Sequence, residues 1–294
     1  IDIEKTSSKS SQVEINQFLQ YAIPSFNATK QSGADGADHI DPATIRGLGP
    51  DQTLVLINGK RRHQASLINL YGTRGRGNSG TDLNTIPISA IKRIELLRDG
   101  ASAQYGSDAI AGVINIVLKD ADNDLNVTST LGFNNADNTA YFPNSVDGFT
   151  YKLGLNYGAK INKGGFINFS AEALSTDNTI RPATSAREKF GQAGVKNVSI
   201  FLNSEIPIYR NTKLYVNGGF NYKNTEAFAF TRKFDSERNV LDIYPNGFNP
   251  LITSNILDNS FSFGMLTNFK EWSVDVNNTF GRNNFQYFIK NTLN

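Results

Sequence analysis

Tyr151-Lys152-Leu153-Gly154-Leu155-Asn156-Tyr157-Gly158 puts every large apolar side chain on an odd position and every polar or small one on an even position. A period of two is the mark of a β-strand, whose successive side chains leave opposite faces of the sheet. The pattern continues on both sides. Leu125, Val127, Leu131 and Phe133 oppose Asn126, Thr128, Thr130 and Asn134, while Ile167, Phe169, Ala171 and Ala173 oppose Asn168, Ser170 and Glu172. Four more segments alternate in the same way, around Val198/Ile200/Leu202, Leu214/Val216/Phe220/Tyr222, Phe261/Phe263/Met265 and Trp272/Val274/Val276/Phe280. An eighth is expected to begin near Phe285.

The connections alternate too. Short turns at 160–164, 210–212 and 270–271 interleave with long polar stretches near 135–148, 177–197 and 226–258. One end is tight and the other elaborate, the arrangement of outer-membrane barrels, with aromatic girdles at both interfaces. Phe149, Tyr151, Phe220, Tyr222, Phe261, Trp272 and Phe280 fall at strand ends as such girdles require. A soluble antiparallel sandwich that buries its apolar face would show the same alternation. The loop asymmetry favours the membrane.

Composition agrees with mostly β structure: 20 Phe, 11 Tyr and 25 Gly stand beside many Asn, Ser and Thr. No run of about 18 apolar residues is present, so no transmembrane helix is expected. Spanning strands need only about 9–11 residues and keep mean hydropathy low. Ile1 opens without a signal-peptide pattern and reads as a processed or truncated end. The net charge of +2 gives no footprint for nucleic acid. With no Cys and only His39 and His63, neither a disulfide framework nor a zinc or haem centre is expected; no cofactor is implied.

Up to Lys119 the pattern differs. Val13 to Tyr21 reads as a short helix, and Thr53 to Asn58 as a compact buried strand closed by Asn58-Gly59. After a Gly/Asn/Arg/Ser-rich loop come a helical turn at Ile88 to Ile91, a strand at Arg93 to Leu97, a second helical turn at Ala101 to Tyr105 and an apolar strand at Gly112 to Leu118. The division is therefore a mixed α/β domain over 1–120 and antiparallel transmembrane β-barrel strands, seven or eight of them, over 121–294. Eight strands enclose only their own side chains, whereas barrels of about 22 strands have a plugged lumen. The chain is thus too short to enclose its own first domain, and an incomplete barrel is expected.

The segment Ile45-Arg46-Gly47-Leu48-Gly49, followed by Leu54-Val55-Leu56-Ile57-Asn58-Gly59-Lys60-Arg61-Arg62, resembles the core of the TonB-dependent receptor plug. Ile86-Pro87-Ile88-Ser89-Ala90-Ile91-Lys92-Arg93-Ile94-Glu95-Leu96-Leu97-Arg98-Asp99-Gly100 resembles the same family's signature, and so does Ala101 through Val117 with its Tyr105-Gly106 and Gly112-Val113-Ile114-Asn115. The resemblance covers about residues 10–120. It implies a plugged barrel of about 22 strands in the outer membrane of a Gram-negative bacterium. It also implies TonB-dependent active uptake of an extracellular ligand: an iron chelate, cobalamin, an oligosaccharide or a peptide. A TonB-type energy-coupling protein of the inner membrane is the implied partner, beside outer-membrane lipid and, in some branches, a surface lipoprotein. The alternative is a non-transporting plug-and-barrel subunit of a larger outer-membrane assembly. The family's TonB box lies upstream of the plug core, and none is recognised in residues 1–11.

Candidate plug-motif and plug–barrel contact residues are Arg46, Gly47, Asn58, Gly59, Arg93, Glu95, Arg98, Tyr105, Gly106, Gly112 and Asn115. The resemblance implies that Arg93, Glu95 and Arg98 pair with inward-facing barrel groups; a solvated strand face is the plainer alternative. Ligand contacts are expected from the loops 33–41 and 64–80, where Tyr71, Arg74 and Arg76 offer stacking and anion-binding groups, with His63 beside them. Gly75-Arg76-Gly77-Asn78-Ser79-Gly80 spells a dinucleotide fingerprint, but Pro87 follows too closely for the helix that a pyrophosphate would need. There is no Gly-x-Ser-x-Gly elbow, and no catalytic residue is assigned.

Overall fold

The computed structural model describes residues 1, 3, 12–28, 30–70, 73–98, 100–120, 123–138, 142–161, 164–181, 187–209 and 211–293. Helix α1, Ile15–Ala22, buries Ile15, Phe18 and Leu19, the i, i+3, i+4 spacing of a single apolar stripe. Two short strands, β1 (Phe26–Asn27) and β2 (Thr44–Ile45), pair antiparallel. Strand β3, Thr53–Ile57, is buried at all five positions, as a central strand covered on both faces must be. Asn58 (φ 48°) and Gly59 (φ 77°) both take positive φ, the requirement of a tight two-residue hairpin, and lead into β4, Lys60–Arg61.

Strand β5, Ile91–Leu97, helix α2, Ala101–Tyr105, and β6, Gly112–Leu118, complete a four-stranded sheet of order β4-β3-β6-β5. Its β3/β6 pair is parallel and its β5/β6 pair antiparallel. One apolar core joins Phe18 and Leu19 to Val55, Ile91, Ile94, Ile114 and Ile116. Each such buried side chain contributes about 1.5–3 kcal/mol. Gly112 is needed where β5 and β6 come together: a Cβ there would lie 2.7 Å from the Leu97 carbonyl oxygen.

The second sheet holds seven antiparallel strands in sequence order: β7 (Leu125–Asn138), β8 (Phe142–Ile161), β9 (Gly165–Thr176), β10 (Gly194–Tyr209), β11 (Thr212–Phe228), β12 (Leu251–Phe269) and β13 (Trp272–Lys290). Two expectations are corrected. Residues 135–148 are not a long loop, because β7 and β8 continue as a hairpin to Asn138 and Phe142. Phe285 does not open an eighth strand but lies inside β13, paired with Ile256. Both errors have one cause: ladder hydrogen bonds continue where side chains no longer alternate apolar with polar, so these strands outrun the pattern used to find them. Long connections remain at 177–193 and 229–250, opposite the short turns.

The faces of this sheet decide between sandwich and barrel wall. Val127, Leu153, Phe263 and Val276 are each more than half exposed on one face, while Asn156, Ser170, Ser199, Asn221 and Lys223 are buried on the other. A soluble sandwich would bury the first set. Here the polar face is covered by the α/β domain and the apolar face is left outward, as on the wall of a membrane barrel. Among the described residues no helix is long and apolar enough to cross a membrane.

Candidate interface between plug and barrel

On β8–β10 the wall meets the plug mainly through side chains that bond to plug backbone. Lys152 Nζ donates to the Val13 carbonyl (2.6 Å) and pairs with Glu172 (3.1 Å), whose other oxygen accepts the Ser89 amide at 3.3 Å. Asn203 Nδ2 donates to the Lys119 carbonyl (2.9 Å), and Asn168 Nδ2 to that of Asp120 (2.6 Å). Phe201 breaks the polar pattern of the inward face and joins the core cluster of the plug itself.

On β11–β13 the contacts are mostly between side chains, and many are charged. Arg62, at the end of the β4 hairpin, pairs with Asp258 of β12 and donates to Thr85 Oγ1 at 3.0 Å. Asp258 also accepts from His63 Nε2 (2.9 Å) and from Asn283 Nδ2 (2.8 Å). Lys223 of β11 pairs with Asp82, both nearly inaccessible to solvent. Nearer the short turns, Lys60 pairs with Asp275, which also accepts from the Tyr215 hydroxyl at 2.8 Å. Nearer the long loops, His39 Nδ1 lies 2.7 Å from Ser254 Oγ, and Ser66 donates to Asn283 Oδ1 from its amide and its hydroxyl (2.8 and 2.9 Å). Burial depresses the His39 pKa to about 4, with Asp38 opposing the shift and Lys223 adding to it, so the ring is neutral at physiological pH. Burial likewise raises the Asp82 carboxyl against the pull of Lys223.

At the long-loop end, the plug segment around Gly33 and Asp35 meets the wall and the connection 187–190. Tyr287 OH donates to the Asp35 carbonyl (2.9 Å), and the Arg74 amide donates to Gln31 Oε1 (3.2 Å). A Cβ on Gly33 would stand 2.3 Å from Arg187 Nη1, and the Arg187 guanidinium stacks over Phe190 and Phe230 at 4.7 and 4.0 Å. Beside this contact a cavity of about 280 Å³ is lined by Ser32, Asn134, Thr179, Arg181, Phe190 and Gln192 among others. Arg181 is held there by a two-pronged pair with Asp147 (2.6 and 3.0 Å).

The residues singled out from the sequence separate into three places. Asn58 and Gly59 tie the hairpin turn to β6: the Gly59 amide donates to Asn115 Oδ1, and Asn58 Oδ1 accepts the Leu118 amide, both at 2.9 Å. Asn58 also reaches the wall, donating to Asn203 Oδ1 at 3.1 Å. Arg93, Glu95 and Asn115 form a cluster on the exposed side of the plug sheet, with Glu95 accepting from Arg93 and Asn115 at 2.8 Å each. Those two bonds hold the Glu95 carboxyl below its ordinary value. Arg46, Gly47, Arg98 and Gly106 are exposed near this side, Gly112 is buried, and Tyr105 packs on Leu54, Leu56, Ala109 and Val113. Arg74 and Arg76 sit exposed in the turn 74–77; Tyr71 lies outside the described residues. His63 is directed at Asp258, and its ring fills the space beside Gly281 of β13. Among the groups that cross the interface, Asp82, Lys223, Ser254 and Asp258 were missed. The available signal was a lysine and an aspartate at inward positions whose nearest inward neighbours on the same strand are uncharged.

An α/β plug on the polar inner face of long antiparallel strands, whose outer face is apolar, is the architecture of a plugged β-barrel receptor. Residues 3–113 match the family model of the TonB-dependent Receptor Plug Domain. The probable TonB-dependent siderophore receptor PirA of Acinetobacter baumannii is 28% identical over 207 residues, 68% of this chain and 25% of that protein. The ferric enterobactin receptor of Pseudomonas aeruginosa is 35% identical over 108 residues, 37% of this chain and 14% of that one. In fold, a crystal structure of a variant of the Pseudomonas aeruginosa ferric enterobactin receptor in complex with enterobactin matches with a TM-score of 0.68 at 20% identity, over 96% of this chain and 40% of that one. Residues 3–113 thus carry the plug domain of the TonB-dependent receptors, and the chain as a whole is similar to receptors of that kind. It spans about a quarter of the length of PirA.

Proposed function

We propose that the protein takes up a ferric siderophore of the catecholate kind across the outer membrane of a Gram-negative bacterium, with a TonB-type inner-membrane protein supplying the energy. In this reading residues 1–120 are the plug and residues 121–294 the first strands of the wall. The long-loop end faces outside, where the cavity beside Arg181, Phe190 and Ser32 and the exposed Arg74 and Arg76 offer cationic and aromatic contacts to an anionic, aromatic chelate. The observation that carries the reading is the polar seam: Arg62–Asp258 and Lys223–Asp82 join a separate domain to the wall through bonds that water can replace. No chemical step on the ligand is required, in keeping with similar proteins that are receptors.

The test is uptake of radio-iron-labelled ferric enterobactin by iron-limited cells, with and without the gene, and with the proton gradient dissipated. Uptake that needs both the gene and the gradient is expected. Uptake unchanged by loss of the gene would overturn the proposal and turn attention to a subunit role in an outer-membrane assembly.

A further inference from the structure

Along the seven strands of this sheet the plug is not held equally, and the difference assigns which of their seams parts first. On β8–β10 the wall inserts Phe201 into the plug core and caps plug carbonyls at Val13, Lys119 and Asp120. Separation there exposes an aromatic ring and uncovers plug backbone. On β11–β12 the contacts crossing the seam are chiefly Arg62–Asp258, His63–Asp258, Lys223–Asp82 and His39–Ser254, with one small apolar contact where Ile256 meets Ile40, Ala65 and Leu67. Charged groups regain hydration when such a seam opens, which offsets most of the lost attraction. Buried polar atoms without a partner also concentrate in this seam: Nε and Nη1 of Arg62, Nε2 of His39, Nδ1 of His63, Oδ1 of Asn221 and Oγ1 of Thr225. Each would gain a hydrogen bond from entering water.

We propose that, of these two seams, the plug separates first along β11–β12, and that this seam is a hydrated route along which a polar solute passes the plug. The inward residues of the route are Asn217, Asn221, Lys223 and Thr225 on β11 and Ser254, Asp258, Ser260 and Ser262 on β12. Apart from the lysine and the aspartate they are neutral hydrogen-bonding groups, suited to a hydrophilic cargo of either charge. The inference rests on reading the chain as a gated receptor, but the order of separation can be measured without any ligand.

These 294 residues contain no cysteine, and with any cysteine elsewhere in the mature protein replaced by serine, single cysteines report cleanly. Thr225→Cys and Ser260→Cys probe one seam, and Ser170→Cys and Ser199→Cys the other; all four positions are buried and inward. Each variant of the mature protein, in outer-membrane vesicles, is treated with a water-soluble thiol reagent at rising sub-denaturing urea. Two positions per seam keep the comparison intact if one variant fails to insert. The expected result is labelling on β11–β12 at lower urea, at least tenfold faster than on β9–β10 at the same concentration. Equal rates, or the reverse order, would overturn the proposal. Failure of the uptake reading would appear separately, as loss of gene-dependent iron uptake with the labelling order unchanged.

Discussion

In the plug, Ile91, Ile94, Ile114 and Ile116 turn inward and lie almost wholly out of solvent, whereas in the seven-stranded sheet Leu153, Val127 and Phe263 turn outward. The two regions use the same residue types and obey the same period of two, yet they sort them in opposite directions. In water the apolar face of a strand must find another protein face; in a bilayer it already has an apolar solvent, and the polar face must be covered. The plug is that cover. Its seam with the wall is therefore mostly polar, broken by Phe201 and Ile256, and is crossed largely by hydrogen bonds and ion pairs.

The comparison can be broken first at the buried pair. Asp258→Ala leaves Arg62 desolvated and unpaired, a loss of about 3–5 kcal/mol, visible as an earlier urea midpoint for plug separation. An unchanged midpoint would mean that water already reaches Arg62. Next comes the outer face. Leu153→Arg should cost about 2–4 kcal/mol if that position lies near the bilayer midplane, measured by folding into lipid vesicles; no loss of folding would place Leu153 in water.

Acid supplies a smaller perturbation through His39. Its folded-state pKa, about 4, is below the ordinary value of 6.5, so the unfolded ring takes up a proton as pH falls while the folded ring does not. Stability should hold above pH 6.5, fall by about 2 kcal/mol between pH 7 and pH 5, and level off below pH 4. His39→Gln should flatten that window, and a slope that survives the substitution would assign it elsewhere. The least effect is expected outside the seam. Glu95→Gln, at an exposed cluster, should change stability by less than about 1 kcal/mol, and a larger loss in thermal unfolding would show that this cluster is covered in the mature protein.

Much of this was legible in the residues. The period of two located all seven strands, Asn58-Gly59 marked a hairpin, and the segment from Ile86 to Val117 carried the family resemblance. Strand extents were less legible, because the hairpin of β7 and β8 and the Gly281-Arg282-Asn283-Asn284 stretch inside β13 are held by backbone bonds where the side chains read as loop. The direction of the faces was legible only from the asymmetry of the connections, because alternation around Leu153 is the same whether its partner is lipid or protein. The seam was hidden for a related reason. Lys223 and Asp258 acquire meaning only when Asp82 and Arg62, more than a hundred residues away in the chain, are brought against them. His63, read as a loop residue open to a ligand, is instead turned toward Asp258 by the chain path beyond β4.

The most direct test of which face meets lipid uses Trp272, the one tryptophan in these 294 residues, exposed on the outer face at the start of β13, with any tryptophan elsewhere in the protein replaced by phenylalanine. Its fluorescence would be recorded in vesicles of lipids brominated at different depths. Quenching, strongest for bromines near the headgroups, together with blue-shifted emission, is the predicted result. Emission at the wavelength of water, indifferent to brominated lipid, would contradict the account.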